Sequence, residues 1–284
     1  MKTLQEIYDW FKSELQEVYD AKEIQWLFFL FLQHLERVEK TTFFLAPDTP
    51  VQSTGWDEVI LRLKNEEPWQ YIIGETEFYG LKIKLNQHVL IPRPETEYLV
   101  EIIHKDLKKT PPGIIWDLGT GSGCIALALA KLFPDARVIA QDYKEEALEV
   151  VQQNAGYNKI KNVEIFKGDI LKKEFPSVQP DLIVSNPPYI SLSETIIMKR
   201  NVLDYEPHDA LFVPEDDPVI FYKLIIDYFI ENTLSHTRLY FEINPRFVTE
   251  LDVFIKSKKL AFEFLKDLSG IKRFVRIEKQ NIIK

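Results

Sequence analysis

Along the first sixty residues apolar positions recur at three- and four-residue steps. Leu4, Ile7, Tyr8, Phe11, Leu15 and Tyr19 fall on one face of a helix. Trp26 to Leu32 is the densest apolar run, far short of the ~20 residues that cross a bilayer, and it reads as a buried helix. Helical spacing resumes from Asp57 to Leu63 and stops at Glu67-Pro68, where proline restricts its predecessor and lacks a backbone donor. The rhythm then changes. Glu77 to Leu85 partly alternates and is followed by Val89-Leu90-Ile91, which predicts a hairpin that Pro92 and Pro94 end.

After Glu95 helical and strand-like segments alternate. A helix through Leu99 and Ile103 precedes strands expected at Gly113 to Leu118, Arg137 to Ala140, Val163 to Phe166, Leu182 to Ser185, Leu239 to Ile243, Phe262 to Leu265 and Phe274 to Ile277. Seven strands with helices between them predict an α/β doubly wound sheet, whose ligand sites lie beyond the carboxyl ends of its strands. The expected division is a helical N-terminal domain over 1–74, a β-hairpin linker over 75–94 and the α/β domain over 95–284. No internal repeat or low-complexity tract interrupts it.

Composition narrows the setting. A chain of 284 residues is expected to form a catalytic domain and a smaller accessory domain, and 45% hydrophobic with 28% charged positions is an ordinary composition for a globular enzyme. The net charge of −9 argues against broad attraction to nucleic acid phosphates and favours protein or small-molecule acceptors. Cys124 is the only cysteine, which excludes an intrachain disulfide and a multi-cysteine zinc site and fits a reducing cytoplasm. Met1 to Trp10 lacks the basic and apolar regions of a secretion signal. His34, His88, His104, His208 and His236 show no metal-ligand spacing, so they read as surface or packing residues and no metal is expected.

Asp117-Leu118-Gly119-Thr120-Gly121-Ser122-Gly123 follows an apolar strand and precedes the helical run Ile125 to Ala130. Glycines there permit positive φ and close ligand approach, and the helix start offers free N–H groups. A dinucleotide dehydrogenase favours G-x-G-x-x-G, whereas the third glycine here comes at the next alternate position, behind Asp-Leu. The spacing points to S-adenosylmethionine. Asp142, at the end of the second strand beside Tyr143, is the candidate for both ribose hydroxyls; otherwise it caps the helix that follows. Asp169 and Ile170, after the third strand, would meet the adenine amino group and ring; otherwise they form an ordinary turn. Cys124 reads as a small packing residue beside the loop.

Asn186-Pro187-Pro188-Tyr189 follows the fourth strand. The Asn186 carboxamide oxygen, with the Pro187 carbonyl, would each accept one N–H of a planar –NH2 group, turning its lone pair toward the methyl carbon. Such an enzyme mainly fixes near-attack geometry. The prolines hold the acceptors rigid, and Tyr189 offers a flat face to a planar group. No strong base is needed before attack, because the nitrogen becomes far more acidic as it gains the methyl group. The bland alternative is a proline-rich turn. Arg93, Glu95 and Thr96 are further candidates at the cofactor entrance, although Pro94-Glu95-Thr96 also reads as a helix start.

Taken together, Glu67 to Gly74, Ile91-Pro92-Arg93-Pro94-Glu95-Thr96-Glu97, the glycine loop, Asn186 to Ile190, Tyr205-Glu206-Pro207 and the ending Lys266 to Gly270 with Arg273 to Val275 resemble the protein-glutamine N5-methyltransferases of peptide chain release factors. The resemblance spans nearly the whole chain. It implies a class I (Rossmann-like) methyltransferase domain preceded by a helical domain and a hairpin, with Gly119 to Gly123 and Asp142 on S-adenosylmethionine. Asn186 to Tyr189 would hold the glutamine of the release factor's Gly-Gly-Gln motif, and the helical domain would bind the partner. The chain departs from the family after Ala210-Leu211, where Phe212-Val213-Pro214-Glu215-Asp216-Asp217-Pro218 replaces a glycine-rich stretch. With Glu206 and Asp209 this segment is acidic and is expected to face a basic surface of the release factor, or else to be a solvated loop.

Adenine-N6 and guanine-N2 nucleic-acid enzymes share the Asn-Pro-Pro-Tyr motif, because an exocyclic amine poses the same geometric problem. They need an electropositive channel and a pocket for an extruded base, which this acidic chain does not advertise. Ribosomal-protein glutamine methyltransferases usually differ from Ile-Pro-Arg-Pro-Glu-Thr-Glu. A silent cofactor-binding module is the alternative from another class.

Overall fold

The computed structural model describes residues 2–51 and 54–280; residues 1, 52, 53 and 281–284 of the expected domains lie outside the described residues. Two compact units emerge, Met1–Gly74 with Lys199–Tyr205, and Glu75–Met198 with Glu206–Lys284. The short excursion at 199–205 breaks the sequence continuity of the second unit.

In the first unit α1 (Leu4–Leu15) starts in a capping box, with Thr3 and Glu6 satisfying each other's free backbone donors. It buries Leu4, Ile7, Phe11 and Leu15, the stripe read from spacing. Helix α2 (Ala21–Phe31), capped by Asp20, contributes Ile24, Leu27, Phe28 and Phe31. After α3 (Lys40–Leu45), α4 (Trp56–Lys64) closes the core with Trp56, Val59, Ile60 and Leu63. Phe28 stacks on Trp56 at 5.4 Å, and the Trp56 indole donates to Glu36 Oε1 at 2.9 Å, so its one polar atom is satisfied. The unit continues through α5 (Trp69–Ile73). No helix among the described residues is long and apolar enough to cross a membrane.

The second unit opens with a hairpin of β1 (Glu75–Phe78) and β2 (Leu81–Lys84). Here the expectation is corrected. Tyr79 (φ 50°) and Gly80 (φ 67°) both lie in the left-handed region that a two-residue hairpin turn needs, so the hairpin closes within residues 75–84. Val89-Leu90-Ile91 is not a strand; Val89 and Ile91 are buried in an irregular segment that leads to α6 (Pro94–Leu107). The hairpin is fastened to its own unit: Asn154 Oδ1 accepts from the Lys84 amide at 2.7 Å, and Asn154 Nδ2 donates to Ser122 O at 3.0 Å.

The sheet alternates with helices in chain order: β3 (Ile114–Leu118), α7 (Cys124–Leu132), β4 (Arg137–Asp142), α8 (Glu145–Tyr157), β5 (Val163–Lys167) and β6 (Leu182–Ser185). Then come a short strand β7 (Ile190–Ser191), α9 (Arg200–Tyr205), α10 (His208–Leu211) and β8 (Phe212–Val213). The chain ends with α11 (Ile220–Asn232), β9 (Arg238–Glu242), α12 (Val248–Ser257), β10 (Ala261–Lys266) and β11 (Lys272–Glu278). The seven expected strands form one sheet in the order β10-β11-β9-β6-β3-β4-β5, in which β11 runs antiparallel to both of its neighbours and the other pairs are parallel. β7 and β8 pair separately in parallel, so Phe212-Val213 lies beside the residues following Asn186 to Tyr189.

Burial follows this layering. Every residue of α7 from Cys124 to Ala130 is buried, as expected of a helix apolar all round against a central strand. The parallel register sets Leu118 opposite both Gln141 and Ser185. Chain segments leaving β3, β4 and β6 therefore emerge side by side.

Candidate active site

The loop between β3 and α7 is shaped by its glycines and held by Asp117. Gly119, Gly121 and Gly123 have φ of 71°, 54° and 80°, a conformation L side chains rarely adopt. Asp117 Oδ2 accepts from the Thr120 hydroxyl at 2.6 Å and from the Ala126 amide at 3.0 Å, so one carboxylate ties the turn to the first turn of α7. Its other oxygen, Oδ1, is buried without a hydrogen-bond partner. Burial pushes the carboxyl up to about 7 against the two hydrogen bonds that favour its charge.

Asp142, at the end of β4, accepts from the Gly121 amide at 3.0 Å and from the Lys144 amide at 3.1 Å. Burial raises its carboxyl above the ordinary range, and the two amides pull the other way. The helix start itself is Lys144, so Asp142 stands ahead of the cap and toward the glycine loop. Gln141 Nε2 holds the turn after β5 through the carbonyls of Gly168 (3.2 Å) and Glu174 (2.9 Å). Asp169 caps the short 3-10 turn at Ile170–Lys172 by accepting from the Leu171 amide at 2.9 Å, and Ile170 is buried.

These segments enclose a cavity of about 340 Å³, within the range of small-ligand sites. Its wall includes Gly119, Thr120, Gly121, Ser122, Asp142, Tyr143, Asp169, Ile170, Asn186 and Pro188, together with Arg93 and Thr96. Gly123, Glu95, Pro187 and Tyr189 are not on that wall. Gly123 caps α7 behind the loop, Glu95 is half-buried and Pro187 is buried. Tyr189 packs on the apolar core, its hydroxyl donating to Glu242 Oε1 at 3.3 Å. His88 and Cys124, read as packing residues, also face the cavity; burial pushes the Cys124 thiol up to about 12, so it stays protonated.

Asn186 is set by residues far away in sequence. Its Nδ2 donates to Thr96 Oγ1 at 3.4 Å, and Thr96 Oγ1 donates to Glu242 Oε2 at 2.7 Å. The Asn186 Oδ1 atom is buried with no hydrogen-bond partner. A buried acceptor left unmatched on a cavity wall is able to accept from a donor brought into the cavity. Sequence reading missed Glu242. The available signal was a carboxylate inside the apolar run Leu239-Tyr240-Phe241-Glu242-Ile243, at the ligand end of a buried strand.

The acidic segment is mostly committed inside the chain. Glu206 is buried and accepts from Arg93 Nη2 at 2.6 Å, and its other oxygen accepts from the Ile91 amide at 3.3 Å. Asp209 accepts from Lys144 Nζ at 2.5 Å and from the Tyr143 hydroxyl. Asp217 pairs with Lys223 at 2.8 Å. Glu215 and Asp216 remain exposed. Three of the five charges expected to meet a basic partner thus neutralise cations of the same unit, because the fold brings Arg93, Lys144 and Lys223 to them.

A seven-stranded sheet with one reversed strand, β11, a glycine loop after its first strand, an acidic residue at the end of its second and Asn-Pro-Pro-Tyr after its fourth define an S-adenosylmethionine-dependent methyltransferase. The residues present fit that cofactor: the cavity carries a carboxylate at Asp142, an apolar wall at Ile170 and an unmatched acceptor at Asn186. A family model described as Methyltransferase small domain matches residues 94–203. A release factor glutamine methyltransferase of Flavobacterium psychrophilum is 39% identical over 274 residues, covering 94% of this chain and 96% of that protein. One from Bacteroides thetaiotaomicron is 35% identical over 273 residues, covering 93% and 96%. Among solved structures the hMettl16 catalytic domain superposes with a TM-score of 0.55 at 14% identity, covering 72% of this chain and 78% of that one, a likeness of fold alone. The chain belongs to the release factor glutamine methyltransferase family.

Proposed function

We propose that this methyltransferase acts on the side-chain amide nitrogen, N5, of the glutamine in the Gly-Gly-Gln motif of peptide chain release factors, in the cytoplasm, with the helical unit contributing to partner binding. The observation that carries the reading is the Asn186 carboxamide. Its nitrogen is engaged by Thr96 and its oxygen is buried without a partner, so it offers an acceptor to one N–H of a planar –NH2 group. The Pro187 carbonyl takes the second N–H. With both hydrogens held in the amide plane, the lone pair is directed out of it.

S-adenosylmethionine supplies an electrophilic methyl group on a sulfonium. The chain's own residues bind and orient. Gly119, Thr120, Gly121, Ser122 and Gly123 form the turn that cradles the cofactor, Asp142 accepts from the ribose hydroxyls, with Tyr143 beside it, and Asp169 with Ile170 takes the adenine. Arg93 and Thr96 close the entrance side, and Glu95 acts behind them. Pro188 and Tyr189 stiffen the acceptor loop. Catalysis is then mainly the fixing of a near-attack arrangement, with no metal ion.

Incubation with purified release factor, its Gln-to-Ala variant, a ribosomal protein carrying a methylatable glutamine, and DNA or RNA, followed by mass spectrometry, tests the reading. A single methyl on the Gly-Gly-Gln glutamine is the expected product. Methyl on nucleic acid, or on the Gln-to-Ala variant, overturns it. Asn186→Ala is expected to abolish turnover while cofactor affinity stays close to wild type.

A further inference from the structure

We infer that Glu242 is a positioning residue for methyl transfer: through Thr96 it fixes which atom of the Asn186 carboxamide faces the substrate. The inference rests on the acceptor role proposed for Asn186 and adds the element that makes that role possible.

An asparagine side chain presents either a carbonyl oxygen or an NH2 group with nearly equal shape, so something must choose between them. Thr96 makes the choice here. A hydroxyl has one proton, and Thr96 gives it to Glu242 Oε2 at 2.7 Å. Toward Asn186 the hydroxyl therefore shows only a lone pair, which accepts from Nδ2 at 3.4 Å and leaves Oδ1 as the outward atom. The choice holds only while Glu242 Oε2 is an acceptor. Its Oε1 accepts from Tyr189 at 3.3 Å, while Tyr222 holds the Glu242 backbone carbonyl at 3.1 Å, so the carboxylate is fixed from two sides.

A proton on Glu242 reverses the logic. With the proton on Oε2, the acid would donate to Thr96 Oγ1 and free the Thr96 hydroxyl proton to turn toward Asn186. The carboxamide then flips, and an NH2 group faces the substrate's own NH2. Two donors repel, and the acceptor is lost. Burial lifts the Glu242 carboxyl to about 7, so this exchange falls near neutral pH. Among the described residues the groups facing it are Thr96 and the Glu95 carboxylate from α6, the Cys124 thiol from α7, Tyr189 from the acceptor loop, the Arg273 guanidinium from β11 and Tyr222 from α11. Glu95 opposes ionisation, whereas Arg273, Thr96 and Tyr189 favour it.

The test uses the full chain with 15N-labelled asparagine, the Asn186 side-chain signal being identified by its loss in Asn186→Ala. In the wild type that signal should titrate with a midpoint near pH ~7, and in Glu242→Gln the titration should vanish. With release factor as substrate, Glu242→Gln should lower kcat roughly 10- to 100-fold while KM for both substrates stays within about twofold, and the acid limb of kcat should disappear. Thr96→Ser, which keeps the hydroxyl, should keep the titration and turn over faster than Thr96→Val, which should lose the titration. Should Glu242→Gln fail to fold, the Thr96 pair decides: equal behaviour of Ser and Val overturns the inference. So does a folded Glu242→Gln with wild-type kcat or an unchanged limb. If the wild type methylates no release factor, the substrate reading fails by itself, and the Asn186 titration still decides the role of Glu242.

Discussion

Asp117 at the end of β3 accepts a hydrogen bond from the Ala126 amide inside α7 at 3.0 Å, and the same oxygen takes the Thr120 hydroxyl. The glycine loop between them is thus a closed ring with a buried carboxyl at its centre.

That carboxyl should make stability depend on pH. It ionises at about 7 in the folded chain and near ~3.9 when unfolded, so between these values the folded state holds the extra proton. Its contribution is greatest below the lower value and is lost as pH rises through the upper one. In Asp117→Asn this dependence is absent. Urea unfolding across pH should show the stability difference moving in the variant's favour between pH ~4 and ~7, by at most about 1.4 kcal/mol per unit, and flat outside. A difference independent of pH would contradict the assignment.

Two glycines of the loop should fail in different ways. At Gly121 (φ 54°) an added β-carbon meets nothing within 4 Å, so Gly121→Ala costs only the left-handed backbone, about 1 kcal/mol. It stands on the cavity wall, and its amide donates to Asp142, so cofactor affinity should drop roughly tenfold, or about 1.4 kcal/mol. At Gly123 (φ 80°) a β-carbon would lie 3.1 Å from Val151, and Gly123→Ala should lose more stability, about 2–3 kcal/mol. Calorimetric titration and thermal unfolding of the two variants separate the effects.

Removing Arg93 should destabilise the fold beyond its half-exposed position. Its partner Glu206 has a side chain only 1% exposed, and a lone buried carboxylate is costly. Arg93→Ala should lose about 3 kcal/mol at neutral pH and recover part of it on acidification, as Glu206 takes a proton. Arg93→Ala together with Glu206→Gln should be less destabilised than Arg93→Ala. Chemical denaturation of the set at two pH values checks the order.

Asp209 links α10 to the residues following β4, through Lys144 and Tyr143. The link is partly exposed, so it is worth about 1 kcal/mol or less. Asp209→Ala should speed cofactor release about fivefold without a comparable loss in single-turnover rate. Stopped-flow dissociation measures the first, and an unchanged release rate would show that α10 does not retain the ligand.

The sequence alone determined much of this protein, because the relevant signals are short-range. The period of apolar residues marks the α1 stripe and all seven sheet strands, and turn chemistry marks the loops after β3 and β6. Asp142, Asp169 and Asn186 stood out as candidates because each lies at the end of a strand or within two residues beyond it, where α/β sheets put their ligands. The hairpin was misplaced because its alternating run hides a turn at Tyr79-Gly80 whose first residue is not one of the usual turn formers. Only the tertiary structure decided the pairings. Thr96, Asn186 and Glu242 come from α6, the end of β6 and β9, and they meet because β9 lies beside β6 in the sheet. The acidic segment reads as free charge until the fold brings Arg93, Lys144 and Lys223 against it. Hydrogen bonds and ion pairs between residues tens of positions apart leave no local pattern, since each depends on sheet order and burial that the whole packed chain sets together.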